Sequence, residues 1–255
     1  MMHSLTGFKT LVRREIVRFT SVFMQTIIPP IVSSFLYIFI FGFSLGGRIQ
    51  QIQGIPYLHY LIPGLIMMYI IEGSYANTSS SLFISRWANY IEELLVTPLS
   101  YFEMVLAILI GGLVRSLVIA CGVWGVSLLF ARFPLAHPQV MIYFLIFVSL
   151  IFSSVGMMVA LFAEEFEHLS MATTFIITPL IFFGGVFHSI SMVPAPLRWI
   201  TVFNPIFYMI NGMRYGMLGQ SDAPIALCLG VILILAILLF SFTVYLFKIG
   251  YKLRK

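Results

Sequence analysis

From position 224 to 247 the chain carries no charged residue. As a helix rising about 1.5 Å per residue, such a run extends roughly 36 Å, more than the hydrocarbon core of a bilayer at about 30 Å. In lipid every backbone N–H and C=O must be satisfied within the segment, so a run of this kind crosses as a helix. Apolar runs of similar character recur at 22–43, 57–81, 102–130, 139–163 and 169–187, which predicts six spans. Composition agrees, with 60% hydrophobic and only 9% charged residues. No hydrophilic stretch is long enough to bury a core of its own. The fold class expected is all-α, a polytopic membrane protein forming a single transmembrane domain over 1–255.

Segment 1–20 places Leu5, Phe8, Val12, Ile16 and Phe19 at helical spacing, with Lys9, Arg13, Arg14 and Arg18 on the other faces. This predicts a basic amphipathic helix lying on a leaflet of anionic lipid headgroups. The apolar run that follows continues past Phe43 without a small-residue cleavage site, so a retained span is expected rather than a signal peptide. Pro29-Pro30 in its opening turns predicts a bend. Six spans put both ends on one side. There they gather Lys9, Arg13, Arg14, Arg18, Arg86, Lys248, Lys252, Arg254 and Lys255, against Arg48, Arg132, Arg198 and Arg214 opposite; both termini are expected to be cytoplasmic. The basic ends speak of lipid, not nucleic acid. Cys121 and Cys228 sit far apart inside apolar runs and read as packing residues, not as a disulfide or a metal site.

Two segments do not fit a span. In 86–98, Trp87, Ile91, Leu94 and Leu95 recur at spacings of three and four while Glu92 and Glu93 project elsewhere, and Thr97-Pro98 ends the pattern. This predicts a short amphipathic helix of roughly 18 Å, too short to cross, that lies flat on the cytoplasmic surface or docks on another protein. Segment 188–222 is apolar but broken by Pro194, Pro196 and Pro205. It predicts a re-entrant or interfacial helical hairpin on the far side, whose second helix starts at Asn204-Pro205, an N-cap followed by proline at the first helical position.

Together these features resemble the permease subunits of type-2 ATP-binding-cassette exporters, the ABC-2 family, over essentially the whole chain. The resemblance rests on the basic N-terminal helix, the tract Tyr60-Leu-Ile-Pro-Gly-Leu-Ile-Met-Met68, the string Ile91-Glu-Glu-Leu-Leu-Val-Thr-Pro98, Gly184-Gly185 after Pro179, and Phe203-Asn-Pro205 leading to Gly212-Met-Arg-Tyr-Gly216. It is similar to the family's short, single-domain bacterial inner-membrane branch. The resemblance implies a homodimer of six-span subunits exporting an amphiphilic, lipid-linked or glycan substrate. It also implies two copies of a separate ATPase, which bind ATP and Mg; no cofactor is expected in this chain. Segment 86–98 is then a coupling helix, with Glu92 and Glu93 toward the ATPase and Ile91, Leu94 and Leu95 filling its groove or packing under the bundle. The chain has no Gly-Lys dipeptide from which to build a phosphate-binding loop, so ATP hydrolysis is not expected of it.

Glu72 and Arg115 lie inside spans at similar estimated depth. They read as an ion pair, as a substrate-contacting or gating set, or as independently solvated charges. Glu164, Glu165, Glu167 and His168 have ligand chemistry without metal spacing, so a solvated turn or an ATPase contact is expected. Gly42/Gly46, Gly111-Gly112 and Gly212/Gly216 read as close helix packing. Ser33, Ser34 and Tyr37 with Thr173, Thr174 and Thr178 either line a translocation path or satisfy backbone groups within the bundle. An intramembrane enzyme is disfavoured because no Gly-x-Ser-x-Gly or His-Glu-x-x-His string occurs. An ATP-independent channel or ion-coupled carrier would call for more buried ionisable residues than Glu72 and Arg115.

Overall fold

The computed structural model describes residues 2–44, 51–133 and 135–253. Gly46, Arg48, Arg254 and Lys255 lie outside the described residues. The chain is helical throughout apart from one small hairpin. Helix α1 (Met2–Ser21) leads through a short α2 (Phe23–Thr26) into α3 (Ile28–Ser44). The break falls where Pro29 and Pro30 withhold their backbone donors. Pro30 leaves the Thr26 carbonyl without its i+4 partner, and the Arg115 guanidinium donates to that carbonyl instead at 3.5 Å.

Strands β1 (Gln51–Ile52) and β2 (Ile55–Pro56) pair antiparallel. Gln53 and Gly54 turn between them with φ of 53° and 79°, the two positive values that a tight hairpin turn requires. Composition and periodicity gave no hint of this hairpin. Then follow α4 (Tyr57–Trp87), α5 (Ile91–Val96), α6 (Tyr101–Ser127) and α7 (Pro138–Phe162). Ser100 and Glu103 form a reciprocal capping box at the start of α6. Helices α8 (Glu167–Ala172) and α9 (Thr178–Phe183) are joined by a π-turn over Thr173–Ile177. Pro179 follows at once; its ring would clash with the carbonyl four residues back, and the wider turn makes room for it. Two 3₁₀ turns lead to α10 (Arg198–Phe203), α11 (Pro205–Leu218) and α12 (Ile225–Lys248).

Among the described residues, four stretches are long and apolar enough to cross a membrane: Phe23–Gly42, Tyr101–Ser127, Pro138–Phe162 and Ile225–Lys248. Helix α4, at 31 residues, reaches about 46 Å but is more polar, and Glu167–Phe183 is a shorter apolar helix. Helix α4 forms the centre. It packs against α3, α6, α7 and α11, and its middle, from Tyr60 to Ile71, is buried throughout. Gly64 lies against the Val186 backbone, where a Cβ would sit 2.9 Å from the carbonyl oxygen.

Helix α11 is seated on α7 in the same way. Gly216 abuts the Met141 backbone, and a Cβ at Gly212 would run into the Phe144 ring. Phe144 is itself fully buried, so it has no free volume into which to retreat. Gly212→Ala is therefore expected to destabilise the purified protein by about 1–3 kcal/mol through overpacking, read as a lowered thermal midpoint in detergent. An unchanged midpoint would show that Phe144 gives way without cost.

Candidate functional site

The amphipathic segment after α4 is shorter than its periodicity suggests. Helix α4 continues through Arg86 and Trp87, and the chain then breaks at Asn89, whose φ is +62°. Asn tolerates the left-handed region that other side chains avoid, so 86–98 is a helix end, a turn and a six-residue helix, not one helix. Trp87 is displaced from the apolar stripe and stands 71% exposed, while Ile91 and Leu94 are buried. Leu95 is partly buried against the same cluster, which gathers residues of α4, α6 and α7 among others. The apolar face thus packs under the bundle. Glu92 and Glu93 are exposed in the first turn of α5, where negative charge suits the helix dipole. Thr97 is extended before Pro98 and closes the helix onto the Leu94 carbonyl, its hydroxyl donating at 2.6 Å.

Arg86 holds this segment to the rest of the molecule. Its guanidinium donates to the Ala160 carbonyl, to the Ala163 carbonyl at 3.2 Å and to the Lys252 carbonyl at 2.8 Å. It thereby satisfies carbonyls orphaned at the end of α7 and ties in the chain after α12. A groove of about 330 Å³ results, lined in part by Phe83, Trp87, Glu92, Glu164 and Lys252. A second, of about 460 Å³, runs along the other side of Trp87 against Glu164, Glu165, Phe166 and Glu167. The His168 ring caps the turn, its Nδ1 accepting from the Glu164 and Glu165 N–H groups at 3.2 and 3.5 Å. Among the described residues, no group of three or more His, Cys, Asp or Glu side chains is placed to hold a metal ion.

Helix α1 is docked by a residue that the sequence reading passed over. Its buried stripe is Leu11, Glu15 and Phe19, and the half-buried Phe8, Val12 and Ile16 lie to one side. Glu15 is fully buried. It accepts from Ser81 of α4 at 2.7 Å and pairs with Arg14 at 3.1 Å and Arg18 at 3.4 Å. Arg18 reaches on to α4, donating to the Asn77 carbonyl at 2.7 Å and to its side-chain oxygen at 2.9 Å. Burial pushes the Arg18 guanidinium below its ordinary value, and the Glu15 carboxylate opposes that shift.

At the other end of the bundle, Arg214 of α11 is 2% exposed, not a loop charge. It donates to the Gly185 carbonyl at 3.0 Å, stacks 3.6 Å over the Tyr60 ring and lies 3.9 Å from Asp222. Asp222 also accepts from Ser189, Tyr60 and Gln53 of the hairpin. Burial and the nearby Arg214 hold His188 below the usual imidazole value, against the pull of Asp222. Asn204 caps α11 by accepting from the Ile206 N–H at 3.0 Å, while its amide donates to the Leu180 carbonyl. Pro205 takes the first helical position.

Glu72 and Arg115 do not pair. The line of contact between α4 and α6 runs through Gly73, which meets Ser116 and Ile119. Each charged residue precedes a contact residue and so points about 100° away from that line. Of the proposed path residues, Ser34 donates to Ile31 and Thr173 to Leu169, both within their own helices. Ser33, Tyr37, Thr174 and Thr178 remain at least partly exposed.

The chain is thus a bundle of apolar helices with charged joints at both ends and an acidic, groove-flanked helix at one of them. The profile of the ABC-2 type transporter family matches residues 6–218, and the chain belongs to that family. It is 35% identical to the inner membrane transport permease YadH of Escherichia coli strain K12, and to that of Shigella flexneri, over the whole of both chains. It is also 24% identical to nodulation protein J of Rhizobium leguminosarum bv. viciae across 87% of this chain and 86% of the relative.

The Glu15 joint is open to test by Glu15→Ala. That change removes the buried acceptor of Ser81 and the carboxylate between Arg14 and Arg18, while Arg18 keeps its Asn77 partners, at a cost of about 1–3 kcal/mol. The purified variant is expected to unfold at clearly lower temperature, with Glu15→Asp partly restored. A full-stability Glu15→Ala protein would show that α1 is held by its apolar contacts alone.

Proposed function

We propose that this chain is the permease subunit of an ATP-driven exporter in a bacterial inner membrane, working as a homodimer with two copies of a separate ATPase that carries ATP and Mg. On this reading the chain crosses six times, with α2–α3, α4, α6, α7, α8–α9 and α12 as the spans. Both termini and α5 are then cytoplasmic, and the segment 188–222 folds back on the far side. The substrate class that fits the family is amphiphilic, lipid-linked or glycan. The relatives' names support the membrane and the transport role.

One observation carries the ATPase reading. Of the nine acidic residues in a chain of net charge +5, Glu92, Glu164, Glu165 and Glu167 line the two grooves beside Trp87, and Glu93 is exposed next to Glu92. A cytoplasmic leaflet of anionic lipid repels such a face, so its exposed tryptophan is suited to a protein partner with basic groups. Because the buried face of α5 packs into the apolar cluster shared by α4 and α6, force applied to it passes into the central helix, as alternating access requires.

Glu92→Arg with Glu93→Arg is expected to leave insertion and folding intact, since both carboxylates are in water. It is expected to weaken ATPase co-purification at least tenfold, or to uncouple substrate-stimulated hydrolysis from export in reconstituted membranes, because like charges then face the partner. Normal assembly and normal export by the well-folded double variant would remove α5 from the coupling route.

A further inference from the structure

Separated from Arg115, Glu72 is left with no cation within ion-pair distance and no hydrogen bond among the described residues. A carboxylate on a membrane helix in that state is costly and calls for a counter-charge. Its surroundings are arranged to receive one. Glu72 is partly exposed while Ile71 and Gly73 on either side are buried, so part of its side chain lies at the surface of the bundle. One turn away, the Tyr69 hydroxyl is buried without a partner at hydrogen-bonding geometry. Glu72 and Tyr37 are that phenol's electrostatic neighbours, and the Ser33 hydroxyl of α3 stands beside it. Next to this group lies an aromatic shell. The Tyr37 ring is 5.9 Å from Phe187, and Phe187 in turn is 5.0 Å from Phe41 and 5.3 Å from Phe182.

A carboxylate, phenols with acceptor oxygens, and aromatic faces with negative quadrupoles are the complement of a lipophilic organic cation, attracted by charge at one end and by ring faces around it. An anion is repelled there by the Glu72 carboxylate. We propose that Glu72, with Tyr69, Tyr37 and Ser33, forms a binding site between α3 and α4 for the positively charged group of an amphiphilic substrate. The proposal rests on the path-lining alternative for Ser33 and Tyr37, and it narrows the substrate class to organic cations.

The test uses the full-length permease in lipid nanodiscs and two ions of the same shape and opposite charge, radiolabelled tetraphenylphosphonium and tetraphenylborate, in equilibrium dialysis. The wild-type chain is expected to bind the phosphonium saturably and the borate only in proportion to lipid. Glu72→Gln, which keeps the shape and removes the charge, is expected to weaken phosphonium binding at least tenfold, and Glu72→Asp by only a few-fold. Equal binding by wild type and Glu72→Gln, or no saturable phosphonium binding by wild type, would overturn the proposal. In the second case Glu72 is neutralised by a proton alone. The path reading is scored separately, by reaction of Ser33→Cys with a water-soluble thiol reagent in a protein lacking Cys121 and Cys228. Labelled Ser33→Cys together with charge-independent binding would sink the cation site and leave the path standing, whereas an unreactive Ser33→Cys would count against the path itself.

Discussion

The half of α4 nearest α5 carries Ser74, Asn77, Thr78, Ser79 and Ser81 as buried residues, and neighbouring helices supply partners to Asn77, Thr78 and Ser81. Unpaired polar groups in an apolar interior are costly. Thr78 donates to the Ser153 carbonyl of α7 at 2.9 Å, and Asn77 receives Arg18 from α1. Such short bonds demand close backbones. Gly112 of α6 and Gly156 of α7 supply the room, since a Cβ at either would collide with Thr78. The small residues on α6 and α7 and the polar residues on α4 are thus two halves of one requirement.

That requirement explains how a six-residue helix gains leverage. Helix α5 alone is too short to be stable in water; it exists because Ile91 and Leu94 are buried, just beyond the end of α4 that Arg86 ties to three carbonyls of two other segments. The same polar half of α4 holds α1 through Glu15 and Ser81. Helices α1 and α5 both attach to this half of α4 and share one apolar cluster. At the far end, Arg214, Asp222 and Tyr60 join α11, the loop before α12 and the start of α4.

Much of this was legible before the structure, because local signals carried it: the stop at Thr97-Pro98, the cap at Asn204-Pro205, the bend at Pro29-Pro30 and the family strings. What escaped depends on partners distant in sequence. Glu15 reads as one more surface charge on a basic helix until Ser81 is placed against it. The Glu72–Arg115 expectation had the depth right and the angle wrong, since span counting locates a residue along a helix without saying which side faces its neighbour. The break at Asn89 did leave a signal, an Asn in the middle of an otherwise regular pattern, which periodicity overrode. The hairpin at Gln53-Gly54 was too short for any strand period to show.

The central claim is that motion of a partner ATPase enters this chain through α5 and passes into α4. Val96, at the end of α5, is 85% exposed and can carry a spin label without disturbing the packed face. In the assembled complex in nanodiscs, the distance between labels on Val96→Cys in the two protomers is predicted to change by several ångströms when ATP is added to a hydrolysis-deficient ATPase, and to return when nucleotide is removed. A distance that stays the same with and without ATP, in a complex that still exports with the active ATPase, would contradict the account.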